Sequence, residues 1–192
     1  MNTHTQARPA NFFSHLLALS SMSALAFSLH ATAVRADPGT HGTGTQGFDQ
    51  QMKPILENYL KIGDALSRGS LEGVPASAKQ IVAHTASLDA TSVTGEHAAH
   101  YKNVPANLRK AAQALSEAKT LDDGRASFKK LSMPMAMWAT MSKPKGVDVL
   151  YCSMAKGSWV QKHGKVRNLY LGAEMLDCGD IVGGDGYANQ KH

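Results

Sequence analysis

From Phe48 to Met141 the apolar residues of this sequence return every three or four positions, with only short breaks. Phe48, Met52, Ile55, Leu56, Tyr59, Ile62, Gly63 and Leu66 make the first such stripe. Offsets of three and four place them on one face of a helix. Pro54 lies inside the run, so the helix either starts near it or kinks there. Arg68-Gly69-Ser70 ends it. A second helix is predicted over residues 75–89, with Ala78, Ile81, Val82 and Leu88 on its apolar face and Pro75 in its first turn. A third helical region spans residues 96–118, interrupted at Val104-Pro105, with Leu108, Ala111, Ala112 and Leu115 as its stripe. A fourth begins near Asp122 or Asp123, acids well placed at a helix N-terminus, and runs past Phe128 and Leu131 to about Met141.

Four amphipathic helices with short connections predict an all-α fold, an antiparallel (up-and-down) four-helix bundle. Lys143-Pro144-Lys145-Gly146 then punctuates the chain. Residues 147–182 change character and hold both cysteines, Trp159 and several glycines. They are expected to form an irregular or short-hairpin Cys/Met segment packed on the bundle, in the same domain. Residues 183–192 read as a loose polar tail.

The N-terminus reads as an address. Arg8 precedes an apolar run from Phe12 to Leu29, broken by serines and His15. Small-residue cleavage patterns follow, ending at Ala33 or at Ala36. That is the layout of a secretory signal peptide, residues 1–36. The serines and His15 make the run too polar for a comfortable membrane span of about 20 residues. Residues 37–47, rich in Gly and Thr, read as a flexible leader. The expected product is a periplasmic protein with no membrane insertion after cleavage, in a compartment that permits disulfides. A net charge of +5 without a basic stripe interleaved with aromatics gives no case for nucleic acid.

Three groups of residues could carry chemistry. Cys152 and Cys178 each have a methionine close by, Met154 and Met175. Thiolate and thioether are soft ligands, and soft ligands select Cu(I) and similar ions. The bland alternative is a Cys152–Cys178 disulfide, which would stabilise by roughly 3–4 kcal/mol in the chain-entropy model. The second group is the methionine ladder. Phe128, Leu131, Met135 and Trp138 share the core face of the fourth helix, while Met133, Met137 and Met141 lie one turn apart on another side. Exposed methionines in a row are unusual, so the Cys/Met segment is expected to cover them. Methionine as adaptable packing is the plainer account. Pro134 adds a bend that could rotate the faces. The third group, His84, His97 and His100, has ligand-like spacing but no HExxH pattern, and reads as solvated surface.

Enzyme signatures are missing. The sequence has no CxxCH, no CxxC, no phosphate-binding glycine loop and no GxSxG elbow. The reading is of a non-enzyme.

Tyr151-Cys152-Ser153-Met154-Ala155, Gly157-Ser158-Trp159-Val160-Gln161, Asn168, Tyr170, Gly172 and Met175-Leu176-Asp177-Cys178-Gly179-Asp180 form a distinctive closing set. It resembles the closing signature of a bacterial family, domain of unknown function 3347. The resemblance spans residues 48–182. Two prolines usual in that signature are replaced here by Ser153 and Leu169. The resemblance implies an exported helical domain found beside, or fused to, periplasmic adaptor subunits of copper/silver efflux pumps. The expected function is therefore soft-metal binding in heavy-metal homeostasis or efflux, with Cu(I) or Ag(I) as cofactor and an efflux adaptor as partner. The expected ligands are Cys152, Met154, Met175 and Cys178, with Met137 and Met141 as further thioethers. The alternative is a disulfide-stapled structural or interaction module of an envelope complex, without metal.

Overall fold

The computed structural model describes residues 44–185 and Tyr187. The expected signal peptide, the start of the leader and most of the tail lie outside these residues. Helix α1 is Gln46–Ser67, α2 Val74–Thr85, α3 Ala98–Tyr101, α4 Val104–Ser116 and α5 Leu121–Ser142. Three strands follow, β1 Val147–Cys152, β2 Gly157–Lys162 and β3 Asp180–Gly184. They form one antiparallel sheet in the order β2-β1-β3.

The all-α expectation is thereby corrected. The chain is mixed, with four long helices and a three-stranded antiparallel sheet. The reason lies in β1. Its first four residues, Val147 to Leu150, are all buried. A strand covered on both faces loses the alternation that marks a half-buried strand. Asp148 interrupts the apolar run as well, so neither period is visible.

The helices follow the sequence closely. Helix α1 runs through Pro54 without ending, and it buries Phe48, Met52, Ile55, Tyr59, Ile62 and Leu66. It begins at Gln46, inside the stretch expected as leader, and Thr45 just before it is buried. Helix α2 stops at Thr85, and Ala90–Ser92 makes a separate 3-10 turn capped by the Asp89 side chain. Pro105 sits in the first turn of α4, which restarts the chain after the one-turn α3. Thr120 caps α5, its hydroxyl accepting the Asp123 N–H at 3.1 Å. In order, α1 packs on α2, α2 on α4 and α4 on α5, and α5 carries the sheet. No described helix is long and apolar enough to cross a membrane.

A polar cluster ties the two ends of this layout. Asp49 in the first turn of α1 accepts from Trp138 Nε1 and from Ser142 Oγ, each at 2.7 Å, and from Thr45 Oγ1 at 2.7 Å. The Tyr101 hydroxyl reaches Ser142 Oγ at 2.9 Å, and its ring meets Phe48 edge-on at 5.1 Å. Burial, with the Asp49 charge in support, pushes the Tyr101 phenol above its usual range.

The sheet lies between α5 and the segment 163–179. On the α5 side a Cβ on Gly183 would come within 3.3 Å of Thr140 Oγ1 and 3.6 Å of Val149 Cβ. β2 is an edge strand, and tyrosine hydroxyls take two of its backbone groups. Tyr59 OH accepts the Val160 N–H at 3.1 Å, and Tyr170 OH donates to the Ser158 carbonyl at 2.6 Å. Tyr59 also shares a 2.7 Å hydrogen bond with Ser132 of α5 and stacks on Phe128 at 4.6 Å. Burial holds both phenols well above their usual range, so they stay protonated.

At the other end of the sheet His163 clasps two acids. Its Nδ1 lies 2.9 Å from Oδ1 of buried Asp148, and its Nε2 lies 3.5 Å from Asp185 Oδ2. Asp185 also accepts the Gly146 N–H at 3.1 Å. The hydrogen bond to Asp148, outweighing partial desolvation, raises the His163 pKa above 6.5. The Gly146 N–H, with His163 behind it, lowers that of Asp185 below 3.8.

Two outcomes follow. Tyr59→Phe strips a partner from the Val160 N–H and from Ser132, and should cost about 1–3 kcal/mol. Ser132→Ala leaves the Val160 contact intact and should cost less, as paired denaturant titrations would read. For the clasp, the raised His163 pKa means its contribution is whole below pH 6.5 and fades as pH rises through the folded value. The lowered Asp185 pKa means its contribution is whole above pH 3.8 and fades as pH falls through the folded value. The stability gap between the protein and His163→Gln should therefore be largest between those limits and shrink on the alkaline side. A gap independent of pH would remove the clasp.

Candidate functional site

The C-terminal segment is assembled around a disulfide. β1 ends at Cys152, β2 starts at Gly157, and the two face each other in the register. The turn between them holds Lys156 at φ 47°. Lys129 Nζ of α5 donates to the Ala155 carbonyl at 2.6 Å, and the Ala155 N–H points at Cys152 Sγ at 3.3 Å. Cys152 is buried and bonded to Cys178, with the Cα atoms 5.9 Å apart. That separation sits inside the ordinary range for a disulfide. These are the chain's two cysteines, so neither is a free thiol.

Asn168 organises the strandless stretch that returns to Cys178. It is fully buried, and its Nδ2 donates to the Cys178 carbonyl at 2.7 Å. Its Oδ1 accepts from Tyr170 N at 2.8 Å and Leu171 N at 3.3 Å, and its own N–H donates to the Leu176 carbonyl at 2.6 Å. Arg125 Nε of α5 holds the Leu169 carbonyl at 2.9 Å. The Trp159 ring meets Tyr170 edge-on at 5.9 Å. Gly179, at φ 150°, passes so close over the same ring that a Cβ would come within 2.5 Å of it. No other residue fits there.

Most of the distinctive closing set therefore holds the segment together. Cys152, Cys178, Asn168, Tyr170, Trp159 and Gly179 touch one another or brace one another's backbone. Met154 and Met175 stand apart from this frame, being 62% and 37% exposed.

The methionine ladder is divided. Met133 is 69% exposed, while Met137 and Met141 are partly buried against the core. Met133 and Met137 line a shallow groove of about 430 Å³ between α5 and the sheet. Val149, Tyr151 and Val182 form its sheet side, with Lys129 and Lys156 at its margin. Met141, Met154, Met175 and the cysteines are not part of that groove. The segment packs on α5 as expected, yet it leaves Met133 uncovered.

His97 and His100 lie with ring centroids 6.3 Å apart, and Glu96 stands 3.5 Å from His97 Nε2. Among the described residues no three or more His, Cys, Asp or Glu side chains are grouped to hold a metal ion.

Over residues 55–146 the chain matches the model of a named family, Protein of unknown function (DUF3347). That is the family the closing motifs resemble. The DUF3347 match covers the helices from within α1 to the turn before β1, and not the residues whose motifs carried the resemblance. No curated protein and no solved structure matches the chain.

Sequence reasoning missed the two tyrosines that close the β2 edge and the clasp on Asp148. An acid inside the apolar run Val147–Tyr151 was the available signal, since a buried carboxylate needs a partner. Replacing Cys152 and Cys178 together by alanine should lower stability by about 3–4 kcal/mol. Denaturant unfolding with and without reductant would read it. An unchanged midpoint in both comparisons would mean that the staple carries no stability.

Proposed function

We propose that this protein is an exported, non-catalytic interaction module of the cell envelope, stapled by Cys152–Cys178. The observation that carries the reading is the disulfide itself. It occupies both thiols, Asn168 holds the Cys178 carbonyl, and Lys129 holds the Ala155 carbonyl in the turn that follows Cys152. In this reading the groove of Met133, Met137 and Tyr151 is the contact surface, because adaptable thioethers and an aromatic ring suit protein contacts. A periplasmic adaptor of a metal efflux pump is the partner that the family resemblance suggests.

One observation favours a second reading, soft-metal binding. Reduction of the disulfide would leave two sulfurs on residues 5.9 Å apart at Cα, with exposed Met154 and Met175 in the same segment. Two thiolates and nearby thioethers suit Cu(I) or Ag(I). Met137 is partly buried and lines the methionine groove, and Met141 is partly buried too, so they would be outer contributors at most.

Counting free thiols and titrating Cu(I) against a competing chelator, before and after reduction, separates the two readings. The interaction module predicts no free thiols as purified and no tight Cu(I) binding in either state. Tight one-to-one Cu(I) binding that Cys152→Ser with Cys178→Ser abolishes would overturn it and install the metal carrier.

A further inference from the structure

A second cavity, of about 760 Å³, lies between α1 and the end of β2 with the loop that follows. Leu60 and Gly63 line its apolar part, with the buried Leu169 and Trp159 side chains behind them. Lys61 of α1 stands on one rim, and Lys162, Lys165 and Arg167 stand on the other. Glu57 and Asp64 share the α1 rim, and Asp64 is engaged by Arg68. The four cations make no ion pair with any described residue.

Exposed lysines are common, so the argument rests on how the loop is held. Gln161 spends its whole amide on it. Oε1 accepts from Trp159 Nε1 and from the Arg167 N–H, both at 3.1 Å. Nε2 donates to the Lys165 carbonyl at 2.9 Å and to the Lys162 carbonyl at 3.4 Å. His163 adds the clasp on Asp148. The backbone carrying three cations is thus fixed above an apolar floor before anything binds, which cuts the ordering cost of binding. Cations grouped along a low-dielectric wall focus a positive potential into the cleft. The volume is that of a small-molecule site.

We propose that this cleft binds a small organic anion, a carboxylate or sulfonate carried on an apolar body. The apolar body lies against Leu60, above buried Leu169 and Trp159, and the charged end sits among Lys61, Lys162, Lys165 and Arg167. The proposal goes beyond the interaction reading and is independent of the disulfide and of the methionines.

The probe is 1-anilinonaphthalene-8-sulfonate, followed by its fluorescence and by energy transfer from tryptophan, with neutral N-phenyl-1-naphthylamine as comparison. The purified protein should bind the sulfonate saturably, one to one. Lys165→Glu with Arg167→Glu should weaken it roughly tenfold or more, a loss that two reversed charges near a protein surface can supply. Both positions touch Gln161 through backbone atoms, so the loop keeps its shape. Lys61→Glu, on the opposite rim, should weaken it too and touches none of the loop contacts. Lys156→Glu, beside the methionine groove, should leave the affinity unchanged, and the neutral dye should not respond to any of these variants. Absence of saturable binding would overturn the site. So would an affinity unmoved by the charge reversals, or an equal loss for the neutral dye.

Discussion

An edge strand presents unpaired backbone groups, and something must take them or cover them. In this chain β2 is such an edge, and the hydroxyl of Tyr59 is the group on which its placement turns. That one oxygen receives the Val160 N–H of the sheet and shares a hydrogen bond with Ser132 of α5, while its ring stacks on Phe128. Three elements far apart in sequence are therefore joined at a single buried atom. A neutral hydroxyl can both give and receive, which a carboxylate or ammonium cannot. Burial keeps Tyr59 protonated, so the joint holds over any ordinary pH. Tyr170 repeats the device two residues along the strand, on the Ser158 carbonyl.

With the edge closed this way, the rest of the C-terminal segment has few choices. The sheet is fixed against α5, so the stretch after β2 must return across its far face to reach Cys178. Asn168 supplies the hydrogen bonds that a regular strand would otherwise provide, and the disulfide fixes the end point. Trp159 fills the space between, which is why the chain passes over it at a glycine. The segment is irregular in backbone but not in its bonding, and no buried side-chain polar atom among the described residues lacks a partner.

The helices were legible because each buries one stripe and leaves the other faces wet, which writes a period of 3.6 into the residues. The punctuation at Pro105 and the acids Asp122 and Asp123 in the first turn of α5 were legible for local reasons as well. The sheet was not. Val147 to Leu150 are buried on both faces, and the residues that stabilise β2 lie on α1 and in the returning loop. Long-range pairing of that kind leaves no mark at the strand itself. At the site, the Cys152–Cys178 disulfide was one of two readings available from sequence, beside a shared soft-metal site, and the separation of the methionine groove from the cysteines was not visible in it.

The division of labour within the closing motifs bears on where function can sit. A residue that braces its neighbours is explained by that work, and its presence says little about a ligand. Cys152, Asn168, Trp159, Tyr170, Cys178 and Gly179 are of this kind. What remains unexplained by packing is Met133 in its groove, exposed Met154 and Met175, and the cations around Gln161, which form no ion pair with any described residue. Exposed methionine costs apolar surface in water, and a loop of fixed cations costs mutual repulsion. Neither follows from the needs of the fold. Those two surfaces lie on different parts of the sheet's surroundings, one against α5 and one against α1. The sheet added to the helical frame is thus the element that creates both.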